Sequence, residues 1–155
     1  MDCNESIKLS GRLHLVAKHK DGSVFYDKEI DNTITTVGKA LFASLVLVDV
    51  GETGIDYIAI GVGTPSATAL GSESSTNGGT RRGGANVTGT QITTTLTNDT
   101  AQWVTTFTFT GTLVLTEAGL FNAASSGIML ASQSFSALTV VDTDTLQITW
   151  KVKVA

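Results

Sequence analysis

Two segments in the C-terminal half of the chain alternate apolar and polar residues in the way that β-strands do. In residues 102–110, every second position from Trp103 to Phe109 holds an aromatic residue or a threonine. In residues 144–154, Leu, Ile, Trp and Val alternate with Gln, Thr and Lys. A period of two predicts strands that are buried on one face and solvated on the other. Both tryptophans lie in these segments, so we expect the two strands to form the centre of the core.

The same alternation marks further strands on either side of this pair. Leu113–Phe121, with the sequence Leu-Val-Leu-Thr-Glu-Ala-Gly-Leu-Phe, lies between the two central segments and predicts a third core strand. Near the N-terminus, Ile7–His19 alternates, Asp21-Gly22 is a strong hairpin signal, and Ser23–Ile30 returns as a second strand. The domain therefore begins with a β-hairpin. Residues 1–6 have no packing pattern and predict a flexible arm.

One segment has the spacing of a helix. Apolar residues in Thr36–Val48 recur at intervals of three and four, and Thr35 or Thr36 can cap the first turn. Few polar residues interrupt the segment, so we expect the helix to be mostly covered, against a sheet. We expect it to end within Asp49–Gly54.

The rest of the chain predicts short strands and turns. The strands are Tyr57–Gly61, Ala85–Leu96 and Ile128–Phe135, and the breaks are the glycine-rich loop Val62–Gly84, the turns Asn98-Asp99 and Ser125–Gly127, and Val141–Thr143. The total is seven or eight strands and one short α-helix. This pattern predicts a mainly β fold, an antiparallel β-sandwich or a partly closed barrel, formed by residues 7–155 as a single domain.

Composition narrows the class of protein. A chain of 155 residues with a net charge of −4 and no basic stripe gives no electrostatic basis for binding nucleic acid. Cys3 is the single cysteine, so we expect a free thiol and no intrachain disulfide, as suits a reducing cytoplasm. The polar N-terminus predicts no signal peptide, and the apolar run at 40–50 is too short to cross a bilayer.

Motifs with catalytic or metal chemistry are incomplete. Gly61-Val-Gly63 lacks the third glycine, the lysine and the helix of a phosphate-binding loop. His14 and His19 are five residues apart on a predicted strand, which places them on opposite faces, and we expect both to be solvated. We therefore expect no cofactor, no metal site and no enzymatic activity.

Two polar features in otherwise apolar or glycine-rich surroundings have competing interpretations. Glu117 could act in acid–base chemistry only with a second carboxylate, for which Asp142 and Asp144 are candidates. We favour a structural role for Glu117, in a turn or an interchain contact. Arg81 and Arg82 either pair with acidic groups of a partner or solubilise their loop, and the sequence does not separate these two interpretations.

The order of these features resembles a family of small structural proteins of tailed bacteriophages. The resemblance covers about residues 30–152. The similar segments are 32–41, 58–63, 69–73, the pair Arg81-Arg82, 115–122, 128–135 and 144–150. The most specific of them is Thr-Glu-Ala-Gly-Leu-Phe together with the terminal Leu-x-Ile-x-Trp strand. Within that family, the chain resembles the capsid decoration (head auxiliary) proteins of β-tulip type.

The resemblance implies a homotrimer on the outer surface of the virion that binds the major capsid protein of the expanded head and cements neighbouring capsomers. It also implies synthesis in the bacterial host cytoplasm, an N-terminal arm that reaches across subunits, and no small-molecule, membrane or nucleic-acid partner. A tail fibre or baseplate component is the alternative, because similar blocks occur in tail fibres; the lack of a fibre shaft, heptads or a receptor-binding tip favours the head. A carbohydrate-binding β-sandwich, with Tyr26 and Tyr57 as its exposed aromatics, is a weaker alternative.

We expect the interfaces to involve the segment Met1–Leu15 and the loop Val62–Gly84, because neither has a reason to be packed inside one subunit. The candidate interface residues are Ile7, Leu9, Arg12, Leu13, Pro65, Leu70, Glu73, Arg81, Arg82 and Glu117.

Overall fold

The structure is a computed structural model, and it describes residues 6–46 and 53–155. The strands are β1 (Leu9–Lys18), β2 (Val24–Ile34), β3 (Tyr57–Gly61), β4 (Arg82–Gly83), β5 (Thr88–Ile92), β6 (Thr100–Thr108), β7 (Leu113–Phe121), β8 (Met129–Val140) and β9 (Thr145–Val154). The helix α1 spans Thr36–Ser44, and a 3-10 turn spans Gly84–Asn86. The predictions that fall on residues 1–5 and 47–52, including most of the arm and the thiol of Cys3, lie outside the described residues.

The strands form one antiparallel sheet that folds into a half-barrel. Its strand order is β4-β3-β7-β8-β2-β1-β9-β6-β5. At the middle of this order, β2 pairs with β8 only through Thr33 and Ile34, so the sheet bends there and its two halves face each other. The predicted class is confirmed. The sheet has nine strands rather than seven or eight because the two-residue strand β4 forms inside the predicted long loop.

The two predicted central strands are the middle of the core. β6 and β9 pair along their lengths, with Trp103 opposite Trp150. Phe107, Ile148 and Trp150 are fully buried on the inner face. Burying side chains of this size contributes about 1.5–3 kcal/mol each to folding, so the alternation itself supplies much of the driving force.

Most predicted boundaries are confirmed within a few residues, and two strands differ more. The predicted hairpin forms with Gly22 at φ 87°, and β7 has the predicted bounds. β5 covers only the middle of the predicted strand Ala85–Leu96, because a 3-10 turn precedes it and a loop folded around Asp99 follows it. β8 continues five residues beyond the predicted Phe135 because β7 pairs with it up to Val140.

The helix begins as predicted, but it ends at Ser44, four residues before the predicted Val48, and it is not mostly covered. The Thr35 side chain accepts from the Gly38 amide at 2.9 Å, which is the expected N-cap. A Cβ at Gly38 would overlap the Leu130 backbone, so glycine allows the helix to lie directly on β8. Only Gly38 and Leu41 are buried, whereas Leu45, just after the helix, is 43% exposed. The expectation was wrong because a short helix lying this close to one strand covers only a narrow face.

Candidate functional site

The carboxylate of Glu117 lies inside the chain and binds three backbone amides of one loop. Oε1 accepts from Gly63 at 3.1 Å and from Ser72 at 2.7 Å, and Oε2 accepts from Gly71 at 2.8 Å. Glu117 is fully buried. We call residues 62–72 the Glu117 loop. A buried carboxylate is stable only when its charge is met by donors, and here the loop backbone supplies them.

Glycines make this approach possible. A Cβ at Gly61 would overlap the Glu117 carboxylate, and a Cβ at Gly71 would overlap the backbone of Thr64. Thr116 adds a second connection by donating its hydroxyl to the Gly63 carbonyl at 2.7 Å. The expected structural role of Glu117 is therefore within the chain and not between chains.

Arg81 holds the end of the predicted long loop against β7. Its Nε and Nη2 donate to the two carboxylate oxygens of Glu73 at 2.9 and 2.6 Å. Nη1 donates to the carbonyls of Ala123 and Ser126, and the guanidinium lies 3.9 Å from the centre of the Phe121 ring. Its side chain is only 7% exposed, so neither proposed role, solubilising the loop or pairing with a partner, fits Arg81.

Arg82 points to a different part of the core. Its Nη2 donates to the Gly78 carbonyl at 3.3 Å, and the guanidinium lies 5.4 Å from the centre of the Phe107 ring. Its buried Nε has no hydrogen-bond partner among residues 6–46 and 53–155. Arg82 is half-buried, so it too is more than a solubilising charge.

A second loop is organised by Asp99, at the turn between β5 and β6. One carboxylate oxygen accepts from the amide and hydroxyl of Thr94, and the other accepts from the amides of Thr95 and Leu96. We call residues 93–99 the Asp99 loop. Desolvation of Asp99 raises its pKa, but the hydrogen bonds from these donors lower it more, and the net pKa lies well below the usual range.

The two histidines are partly exposed, as expected, and each is also paired with a carboxylate. His14 Nε2 lies 2.8 Å from Asp27, and His19 Nδ1 lies 3.0 Å from Asp144. His19 also stacks on Phe25, with ring centres 4.2 Å apart. The Asp144 carboxylate also accepts from the Val141 amide and is 4% exposed, so it supports the turn before β9. The hydrogen bonds of Glu117 come from backbone amides and not from the candidate partners Asp142 and Asp144.

A cleft of about 620 Å³ opens where β1 begins and β2 and β9 end, and we call it the β1 cleft. Its lining residues are Leu9, Ser10, Gly11, Arg12, Glu29, Asp31, Asn32, Ile34, Lys39, Thr94, Thr100, Lys151 and Lys153. The volume is within the range of ligand-binding pockets. Arg12 donates to Asp31 at 2.9 Å, and this hydrogen bond is the main reason that the pKa of Arg12 is raised. The sequence did not reveal this cleft, because its residues come from four separate segments.

The predicted interface residues divide between surface and interior. Ile7 is 72% exposed and Arg12 is exposed, whereas Leu9, Pro65 and Leu70 are half-buried. Leu13 and Glu117 are fully buried within the chain, which leaves them no surface for a partner and corrects the prediction for these two. Leu13 packs in the main hydrophobic core, and Glu117 is covered by the Glu117 loop.

Within residues 6–46 and 53–155, no group of three or more His, Cys, Asp or Glu side chains is placed to hold a metal ion. In the same ranges, no helix is long and apolar enough to cross a membrane. Comparison with known proteins gives no family: no protein-family model matches the chain, and no curated protein is significantly similar to it.

Proposed function

We propose that this chain is a virion structural protein of a tailed bacteriophage, which binds the expanded head as a trimer and stabilises contacts between capsomers. The proposal starts from the resemblance of the ordered motifs. It is supported by the physical role that the most specific of these motifs, residues 115–122, has in the fold.

The observation that carries the proposal is that this motif fixes two loops on one side of the sheet. Thr116 and Glu117 bind the Glu117 loop, and Asn122 accepts from the Ile128 amide across the next turn. Phe121 lies beneath the Arg81 guanidinium. The ionisable groups of this region therefore serve to hold loops in place. A protein that binds a rigid lattice benefits from a surface already fixed in its bound shape, because less conformational entropy is lost on binding.

Decoration of a head acts by mass action. A protein that binds only the expanded lattice lowers the free energy of that state, by an amount that grows with its concentration relative to Kd. Three copies joined in one trimer bind three equivalent lattice positions together, so weak individual contacts add up. The exposed apolar side chains Ile7 and Leu96 lie near the end of the sheet where β1 starts, since the Lys8 amide bonds Ala155 and the Val154 amide bonds Asp99. This end is suited to contact with another protein surface.

The proposal is tested by mixing the purified chain with expanded and unexpanded heads and sedimenting the particles. We expect saturable co-sedimentation with expanded heads only, and a trimer by size-exclusion chromatography with light scattering. A chain that is strictly monomeric at all concentrations would overturn the trimer. Equal binding to both kinds of head, or to neither, would overturn decoration of the expanded lattice.

The alternatives make different predictions in the same system. A tail or baseplate component would be found on tails when gold-labelled antibody is applied to intact particles. A carbohydrate-binding module needs exposed aromatic side chains, but every aromatic residue of the chain is buried or half-buried, including Tyr26 and Tyr57. Both tryptophan ring nitrogens donate within the chain, to Ile55 and Asn32.

A further inference from the structure

The β1 cleft carries more positive charge than its own carboxylates neutralise. Arg12 engages both carboxylates of the cleft, since it donates to Asp31 and lies 3.7 Å from Glu29. Lys153 lies 3.9 Å from Asp99, whose carboxylate belongs to the neighbouring loop. Among the residues that the structure describes, Lys39 and Lys151 have no ion-pair partner. Two ammonium groups of the cleft are therefore free to meet negative charge from outside.

A buried amide in the cleft also lacks an acceptor. Asn32 Oδ1 accepts from the Trp150 indole nitrogen at 3.1 Å. Because an indole N–H can only donate, this bond fixes the orientation of the amide and leaves Nδ2 as the free end. Asn32 Nδ2 is buried and has no hydrogen-bond partner in the part of the chain that the structure describes. A buried donor without an acceptor is unfavourable, so a ligand oxygen that reaches this nitrogen gains affinity.

The fold makes room for this amide. Gly11 on β1 lies opposite Asn32 on β2, and a Cβ at Gly11 would overlap the Asn32 side chain. The glycine therefore allows the Asn32 side chain to lie over Trp150 on the inner face of the sheet. On β1, Leu9 and Leu13 flank Gly11 on this same face. The arrangement places a donor at the wall of a cleft whose charged side chains are four cations and two carboxylates.

We propose that the β1 cleft binds a segment of a partner protein that carries aspartate or glutamate side chains. Carboxylates carry the negative charge that can pair with Lys39 and Lys151. Their oxygens can also accept a hydrogen bond from Asn32 Nδ2. Glu29 and Asp31 at the same cleft disfavour a small, multiply charged anion such as phosphate and favour the single-charge carboxylates of a peptide. The inference rests on the proposed function in one respect, that the partner is another protein.

The test is a calorimetric titration of the purified full chain with a hexaglutamate peptide, a hexaglutamine peptide and inorganic phosphate, at low and at high salt. We expect saturable binding of hexaglutamate alone, weakened by salt because partly exposed charges are screened. Lys39→Gln and Lys151→Gln should each weaken binding by up to about fivefold. Lys20→Gln and Lys28→Gln remove the same charge from exposed positions outside the cleft and should leave the affinity unchanged.

Asn32→Asp probes the amide directly. It keeps an oxygen for the Trp150 indole and replaces the free donor with a second oxygen, so hexaglutamate binding should fall by about tenfold or more. If this variant does not fold, the two lysine variants decide the result. Equal binding of hexaglutamine, binding of phosphate alone, or equal losses in the control lysine variants would each overturn the proposal.

Head binding separates this inference from the proposed function. If Lys39→Gln and Lys151→Gln lose the peptide but bind expanded heads normally, the cleft is not the lattice contact and the proposed function stands. If the unaltered chain binds hexaglutamate but no heads, the proposed function fails while the acidic-segment site stands.

Discussion

Glu117 and Asp99 have the same role at two places, since each carboxylate accepts hydrogen bonds from three backbone amides of a loop. The partners of Asp99 lie three to five residues before it in sequence. The partners of Glu117 lie 45, 46 and 54 residues before it. Asp99 therefore stabilises a turn formed by its own neighbours in sequence, whereas Glu117 joins β7 to a loop that is far from it in sequence. Removing Glu117 should affect the whole domain, and removing Asp99 should act mainly on one loop.

The largest expected effect is that of Glu117→Gln. The glutamine NH₂ would face at least one backbone N–H that now donates to the carboxylate, and no water can compensate at a fully buried site. We expect a loss of about 2–4 kcal/mol in the free energy of unfolding, measured by urea denaturation. Glu29→Gln, at a half-exposed carboxylate, is the matched control and should change stability by less than about 1 kcal/mol. Equal losses in both variants would contradict a special role for Glu117.

Gly71→Ala tests the same connection from the side of the loop. The added methyl group would overlap the Thr64 backbone, and the loop must shift away from the Glu117 carboxylate. We expect a loss of about 1–3 kcal/mol, measured in the same denaturation experiment. At Gly54 a Cβ would meet none of the described residues within 4 Å, so Gly54→Ala should be nearly neutral. If Gly71→Ala is also neutral, the glycine is not needed for the close approach.

Asp99→Asn should act locally and less strongly. The amide keeps one acceptor and loses the charge that binds Thr94, Thr95 and Leu96, so these three amides should exchange hydrogen faster than in the unaltered chain. The fall in melting temperature should be smaller than for Glu117→Gln. Hydrogen exchange followed by mass spectrometry measures the first effect, and faster exchange spread evenly over all strands would contradict a local role.

The smallest effect is the pH dependence of the Asp99 contribution. The folded pKa of Asp99 is lower than its ordinary value of 3.8. Its stabilisation is therefore fully present above that ordinary value and is lost as the pH falls through the folded pKa. The difference in melting temperature between the unaltered chain and Asp99→Asn should be constant from pH 7 to about pH 5 and should shrink below about pH 4. A difference that grows on acidification would contradict the assignment.

Features that depend on neighbouring residues could be predicted from the sequence. The alternation in residues 102–110 and 144–154 specified two core strands, since a period of two places alternate side chains on opposite faces of any strand. The hairpin at Asp21-Gly22, the turn at Asn98-Asp99 and the Thr35 cap are also local, because each is formed by residues a few positions apart. The sequence by itself therefore determined the mainly β class and most of the strands.

Features that depend on distant partners were decided by the tertiary structure. The amides that bind Glu117, the carbonyls that bind Arg81 and the cations that meet at the β1 cleft come from segments far apart in the chain. Their meeting depends on the register of each strand pair and on the bend of the sheet between β2 and β8. The type of a side chain determines which hydrogen bonds it can form, but only the fold determines which partner lies within hydrogen-bonding distance. For this reason the sequence identified Glu117 as a structural residue and could not show what it holds.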